Sequence, residues 1–65
     1  MQLTVNGRPV ETPEDCVLQT LLQRLAVSGR FAVEVNAEII PRSSHADHRL
    51  RPGDRIEIVH AVGGG

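Results

Sequence analysis

Lysine, tryptophan and tyrosine are all missing from this 65-residue sequence, and phenylalanine occurs once, at Phe31. With one aromatic side chain there is no platform on which single-stranded nucleic acid can stack its bases. Seven arginines against eight acids leave a net charge of −1, without the basic footprint that nucleic acid or an anionic membrane surface requires. A single cysteine, Cys16, excludes an internal disulfide framework and fits a reducing compartment. No apolar run approaches the roughly 20 residues of a membrane span, and the first residues lack the pattern of a signal peptide. A soluble, cytoplasmic module is therefore expected. Length excludes more: a domain this small buries only about 60% of the surface of its unfolded chain. Pockets of about 300 Å³ or more normally need a larger scaffold. No nucleophile and base cluster in the sequence either, so an autonomous enzyme is not expected.

What is present is a clear change of period along the chain. Met1, Leu3 and Val5 alternate with Gln2, Thr4 and Asn6, and the Asn6-Gly7 pair then signals a hairpin returning through Arg8 to Glu11, with Pro9 tolerable on an edge strand. Leu18, Leu21, Leu22 and Leu25 follow at helical spacing, one apolar stripe opposite Gln19, Gln23 and Arg24. Asp15, or Thr12, is the expected N-cap, and Ser28-Gly29 the expected stop. Period two returns at Phe31, Val33 and Val35, a turn falls at Asn36-Ala37, and Glu38 to Ile40 forms a short strand closed by Pro41. Ser43 to Leu50 has room for one helical turn capped by Ser43 or Ser44. After the Pro52-Gly53-Asp54 turn, Arg55 to Val62 reads as a last strand. Ile56 and Ile58 face one way there, and Arg55, Glu57, Val59 and Ala61 the other. A lone helix with one apolar stripe must cover one face of a mixed sheet, which is an α+β arrangement of four to five strands. No repeat or internal boundary interrupts residues 1–62.

The sequence finishes on Gly63, Gly64 and Gly65, which have no side chains to pack. The opening MQLTVNG, the helix core LQTLLQRL, the segment EVNAEIIPRS and above all the ending PGDRIEIVHAVGGG resemble the ThiS family of sulfur carriers in thiamin biosynthesis. One departure is Ala37, where that family usually has Asn-Gly. The resemblance implies a β-grasp, ubiquitin-like domain over 1–62 and a flexible glycine tail over 63–65. It also implies that the Gly65 carboxylate is adenylated by a ThiF-like, Mg-ATP-using partner. A persulfide donor then converts the adenylate to a thiocarboxylate, which a ThiG-like thiazole synthase consumes. On this reading the chain binds no cofactor itself and is the substrate of its partners. Gly63 and Gly64 would give clearance in a narrow channel, and the missing lysines would remove competing amine nucleophiles. The alternatives are a MoaD-like subunit for molybdopterin synthesis, which shares the thiocarboxylate, and a β-grasp interaction module whose glycines are incidental.

Docking onto such partners is expected at the root of the tail, through Val59, Ala61 and Val62. Other residues that carry chemistry read as structural. Cys16 is expected to be a half-buried small side chain at the helix start rather than a persulfide relay. His45, His48 and His60 lack a nearby cysteine and a zinc-like spacing, so no metal site is expected. Arg42, Arg49, Arg51 and Arg55 read first as a solvated polar face, and second as a site for an acidic partner or phosphate.

Overall fold

A computed structural model describes residues 1–61, and it builds the first hairpin where the alternation ends. Strand β1 (Gln2–Val5) pairs antiparallel with β2 (Arg8–Glu11). Asn6 and Gly7 hold φ at 49° and 81°, the left-handed values that a two-residue type I′ turn needs. The backbone N–H of Thr12 donates to the Met1 carbonyl at 2.8 Å and carries the pairing beyond the strands. Pro9 lies in β2, an outer strand, as its missing N–H requires.

Helix α1 runs Leu18–Arg24, and its ends differ from the sequence expectation. Val17, not Asp15 or Thr12, is the N-cap residue, and no side chain caps the helix. Two of the orphan amides are met from elsewhere in the chain: Leu18 N–H donates to the His48 carbonyl at 2.8 Å, and Gln19 N–H to that of His45 at 3.0 Å. A segment some thirty residues downstream therefore does the work of a cap. At the other end the stop comes before Ser28-Gly29. Ala26 takes φ 56°, its N–H donates to the Gln23 carbonyl, and Val27 N–H donates to that of Leu22. This is the Schellman pattern, with alanine at the position that usually selects glycine. The early stop leaves Leu25 as the C-cap residue, 38% exposed, while Leu18, Leu21 and Leu22 are buried.

Strands β3 (Phe31–Val35) and β4 (Glu38–Ile40) form a second hairpin through Asn36 and Ala37, both left-handed at φ 52° and 69°. Asn36 tolerates that region because its amide bonds locally. Its Oδ1 accepts from Arg55 N–H at 2.9 Å and its Nδ2 donates to Asp54 Oδ1 at 3.0 Å. A single 3₁₀ turn at Arg42–Ser44 follows Pro41. Ser43 and Ser44 lie inside this turn rather than capping it, because Pro41 fixes an extended entry one residue earlier.

Strand β5 (Arg55–His60) then enters the middle of the sheet, parallel to β1 and antiparallel to β3. The order is β2-β1-β5-β3-β4. The expected last strand thus ends at His60; Val62 lies outside the described residues. The inner face joins Leu3, Val5, Val33, Val35, Ile56 and Ile58 to the buried helix leucines in one apolar cluster. Each of Leu18, Leu21 and Ile56 is fully enclosed. The expected α+β class, one helix on a five-stranded mixed sheet, is what the chain adopts.

Candidate functional site

Strand β5 is held by β3 up to its last residue. Its register with β3 runs from Val35↔Ile56 to Phe31↔His60, and Ala61 N–H still donates to the Arg30 carbonyl at 2.9 Å. On the other side, β1 turns away at Asn6, and that side chain replaces the missing strand. Asn6 Oδ1 accepts from Ile58 N–H at 2.7 Å, and Asn6 Nδ2 donates to the Ile58 carbonyl at 3.4 Å. The residues after Ala61 therefore leave from a fixed point on the sheet's central strand. Val62 and the glycines expected to carry the chemistry, Gly63, Gly64 and Gly65, lie outside the described residues.

Around this point the outer face of the sheet is only partly polar. Val59 is 55% exposed, in the outward phase that the alternation of β5 requires. Its cross-strand partner is Ala32, also exposed, and Ala61 is exposed beyond it. One row away Glu57 stands opposite Glu34, and Glu34 opposite Ile39, which is 69% exposed. Ala32 extends the apolar surface that Val59 and Ala61 begin, and Ile39 is a further exposed apolar group on the far side of Glu34. Sequence reasoning missed them although the phase of β3 places Ala32 outward. In a three-residue strand ending Ile39-Ile40, one isoleucine has to face water. The Glu34–Glu57 pair puts like charges directly opposite, an arrangement that weakens a sheet rather than supporting it.

The opposite face carries a second surface at the same end. Phe31, half-buried at the start of β3, has the Arg42 guanidinium 5.5 Å above its ring centroid. The His45 ring stacks at 6.4 Å and the His60 ring lies tilted at 6.1 Å. His45 is buried and its Nε2 lies 3.0 Å from the Ile40 carbonyl, so it fixes the 3₁₀ turn against β4. His48 is half-buried and His60 exposed. Among the described residues no group of three or more His, Cys, Asp or Glu side chains could hold a metal ion.

The four arginines of residues 42–55 do not form one cluster of equivalent groups. Arg42 belongs to the Phe31 surface, whereas Arg49 pairs with Asp15 at 3.6 Å, both highly exposed. The Arg51 and Arg55 backbone amides bond to the side chains of Asp54 and Asn36. Cys16 is more deeply enclosed than a half-buried side chain, at 5% exposure, two residues before α1. Its Sγ is 3.5 Å from the Val17 carbonyl and its own carbonyl accepts from Leu50 N–H at 2.9 Å. That position suits packing and offers no path for an incoming sulfur donor.

Comparison with known proteins places this geometry. A family model described as the ThiS family matches residues 3–65. The sulfur carrier protein ThiS of Bacillus subtilis is 38% identical over 65 residues, which cover 97% of this chain and 98% of that one. A thiazole synthase of Paramagnetospirillum magneticum is 41% identical over 66 residues, covering all of this chain. The chain spans only about a fifth (20%) of that relative's length. Among solved structures, the crystal structure of a thiamine biosynthesis protein (ThiS) from Geobacter metallireducens superposes with a TM-score of 0.88 at 33% identity, covering both chains completely.

Proposed function

The chain belongs to the ThiS family, and from that membership we propose that it is a sulfur carrier of thiamin biosynthesis, a protein substrate rather than a catalyst. The observation that carries this reading is near-complete mutual coverage with a sulfur carrier, the Bacillus subtilis protein, over 97% of this chain and 98% of that one. The reacting group is the Gly65 carboxylate. A carboxylate resists attack because a nucleophile would add charge to an anion. Transfer of AMP from Mg-ATP, with release of pyrophosphate, turns it into an acyl phosphate anhydride with a good leaving group. A persulfide sulfur displaces AMP, and a second thiol then cleaves the resulting acyl disulfide by forming a disulfide with the donor's sulfur, which leaves the thiocarboxylate. A ThiF-like adenylyltransferase supplies the ATP site, and a ThiG-like thiazole synthase takes the sulfur.

None of these steps needs a side chain of the carrier. What the chain must supply is a slender acyl end and a surface that presents it. Gly63 and Gly64, without Cβ atoms, let the terminal carbonyl pass through a narrow channel to the nucleotide. Val59 and Ala61, with Ala32 beside them, form the surface on which the adenylating partner docks; Val62, the third residue assigned to that contact, lies outside the described residues. An exposed apolar group at the root of the reacting segment is well placed to fix its direction, since misplacement by about 1 Å can cost about 100-fold in rate. The test is intact-mass analysis of the protein purified from its native host, read with and without alkylation of the thiocarboxylate. Replacement of one oxygen by sulfur, localised to the C-terminal peptide, is the expected result. A population wholly unmodified, even after incubation with the adenylating partner, ATP and a persulfide donor, would overturn the assignment.

A further inference from the structure

The Phe31 groove lies at the same end of the molecule as the docking surface but on the other face of the sheet. Leu22, Val27 and Phe31 line its apolar part, and Gln19, Gln23 and Arg42 its polar part. Three stretches meet there, residues 18–33, 39–46 and 58–61. They contain Arg24, Arg30, Arg42, His45 and His60 and not one acid, although the chain as a whole has eight acids and a net charge of −1. Charge is therefore segregated toward the end from which the tail leaves. Arg42 is exposed, and neither of the two ion pairs among the described residues involves it. Its guanidinium rests on Phe31, and among the described residues no hydrogen bond or ion pair takes up its donors.

We propose that this groove is the docking site for the thiazole synthase, which fills it with an apolar side chain flanked by a carboxylate that Arg42 receives. The inference rests on the sulfur-carrier reading for the identity of the partner. Charge complementarity selects the chemistry: an apolar slot under an unpaired, planar cation fits an acidic segment with an apolar tip. The thiazole synthase is favoured over the adenylating enzyme because a relative 41% identical to this whole chain is a thiazole synthase that contains the matching stretch within its own, much longer chain. Carrier and synthase are then one molecule, and a standing contact between them is available. Placement on the face away from Val59 gives each enzyme its own surface at the root of one tail.

Two variants test the groove. Arg42→Glu reverses the cation; Gln23→Glu adds a carboxylate at an exposed helix position on the same rim. Binding of the unmodified full chain to the thiazole synthase of the same organism is measured by titration calorimetry at low and at high salt. Pyrophosphate exchange with the adenylating partner and a melting curve are recorded for each protein. Both variants are expected to bind the synthase at least about tenfold more weakly at low salt, because like charges are then brought face to face. The loss should shrink as salt screens the contact, with exchange and melting close to wild type. Wild-type synthase affinity in either variant overturns the proposal, as does an equal loss in the exchange assay, which would make the groove a shared surface. If wild-type protein shows no exchange at all, the carrier reading fails on that arm, while the groove is still judged by the calorimetry.

Discussion

Placing a carboxylate at Val59 separates folding from docking. Val59 is 55% exposed in the free protein. Burying a valine completely is worth about 1.5–3 kcal/mol, so its exposed half would contribute about 1–1.5 kcal/mol on docking. Aspartate loses that contribution and must also be stripped of water, at a cost of several kcal/mol where no partner charge compensates. Together these terms weaken docking by about 100-fold or more, at about 1.4 kcal/mol for each factor of ten. In the free protein the change is milder. Aspartate is a poor strand former, by up to about 1 kcal/mol, and would stand diagonal to Glu34 across the β3–β5 ladder. A domain of this size loses about 4–8 °C in Tm per kcal/mol. The assay is pyrophosphate exchange by the adenylating partner as a function of carrier concentration, beside a melting curve. Thr20→Asp, at an exposed position on the helix, carries the same charge change away from the sheet face. A large rise in KM for Val59→Asp but not for Thr20→Asp is expected. A KM within about twofold of wild type would refute the docking surface, since even a tenth of the expected loss exceeds that. Loss of the folded spectrum would instead mean that Val59 belongs to the core.

Other expectations follow from single positions. Ala37→Gly should raise Tm by a few degrees: an L-residue in the left-handed region costs about 1–2 kcal/mol, offset in part by the greater unfolded freedom of glycine; an unchanged or lower Tm would show that Ala37 is unstrained at φ 69°. Leu21→Ala, at a fully buried helix position, should cost about 2–5 kcal/mol in denaturant melts, enough to unfold much of a domain this small. Asn6→Gly keeps the turn but removes both bonds to Ile58, at about 1 kcal/mol each; a neutral result would mean that water replaces the amide fully. Removing Gly65 should leave Tm unchanged and abolish exchange, because the new carboxylate sits about 3.5 Å short of its place; wild-type exchange would show that the terminal carboxylate is not the reacting group.

Much of the fold was legible because each element writes its own period. Leu3 and Val5, Val33 and Val35, and Ile56 and Ile58 alternate, and each pair is buried. Helix ends were not legible, for two physical reasons. Two N-terminal amides of α1 are satisfied by the His45 and His48 carbonyls, a tertiary cap that no local pattern announces. At the other end Ala26 takes a conformation that sequence rules assign to glycine, so the stop was sought three residues too late, at Gly29. The same exception recurs at Ala37. For the site, the phase of β5 sufficed to turn Val59 and Ala61 outward. Ala32, opposite Val59, and Ile39, opposite Glu34, required the strand order, which places β5 and β4 on either side of β3. The Phe31 groove was wholly illegible: Gln19, Phe31 and Arg42 come together only when the 3₁₀ turn packs between helix and sheet.

On the proposed function, these placements would let so small a chain serve two enzymes without a catalytic side chain. A terminal segment is only as well aimed as the residue from which it departs. Strand β5 is bonded on both flanks, by β3 and by the β1–Asn6 edge, and Ala61 N–H adds one more bond to Arg30. Ordering a terminal residue costs roughly 1–2 kcal/mol of backbone freedom, so every residue already fixed before docking reduces what the partner must supply. An outer strand such as β2 or β4 would lack the second flank that β1 and Asn6 supply as far as Ile58. The central position also exposes two faces at one root, Val59 on one and Phe31 with Arg42 on the other. If both proposed surfaces are used, one enzyme would release the sheet face while the next engages the groove, and the acyl end would pass between active sites without the carrier changing shape.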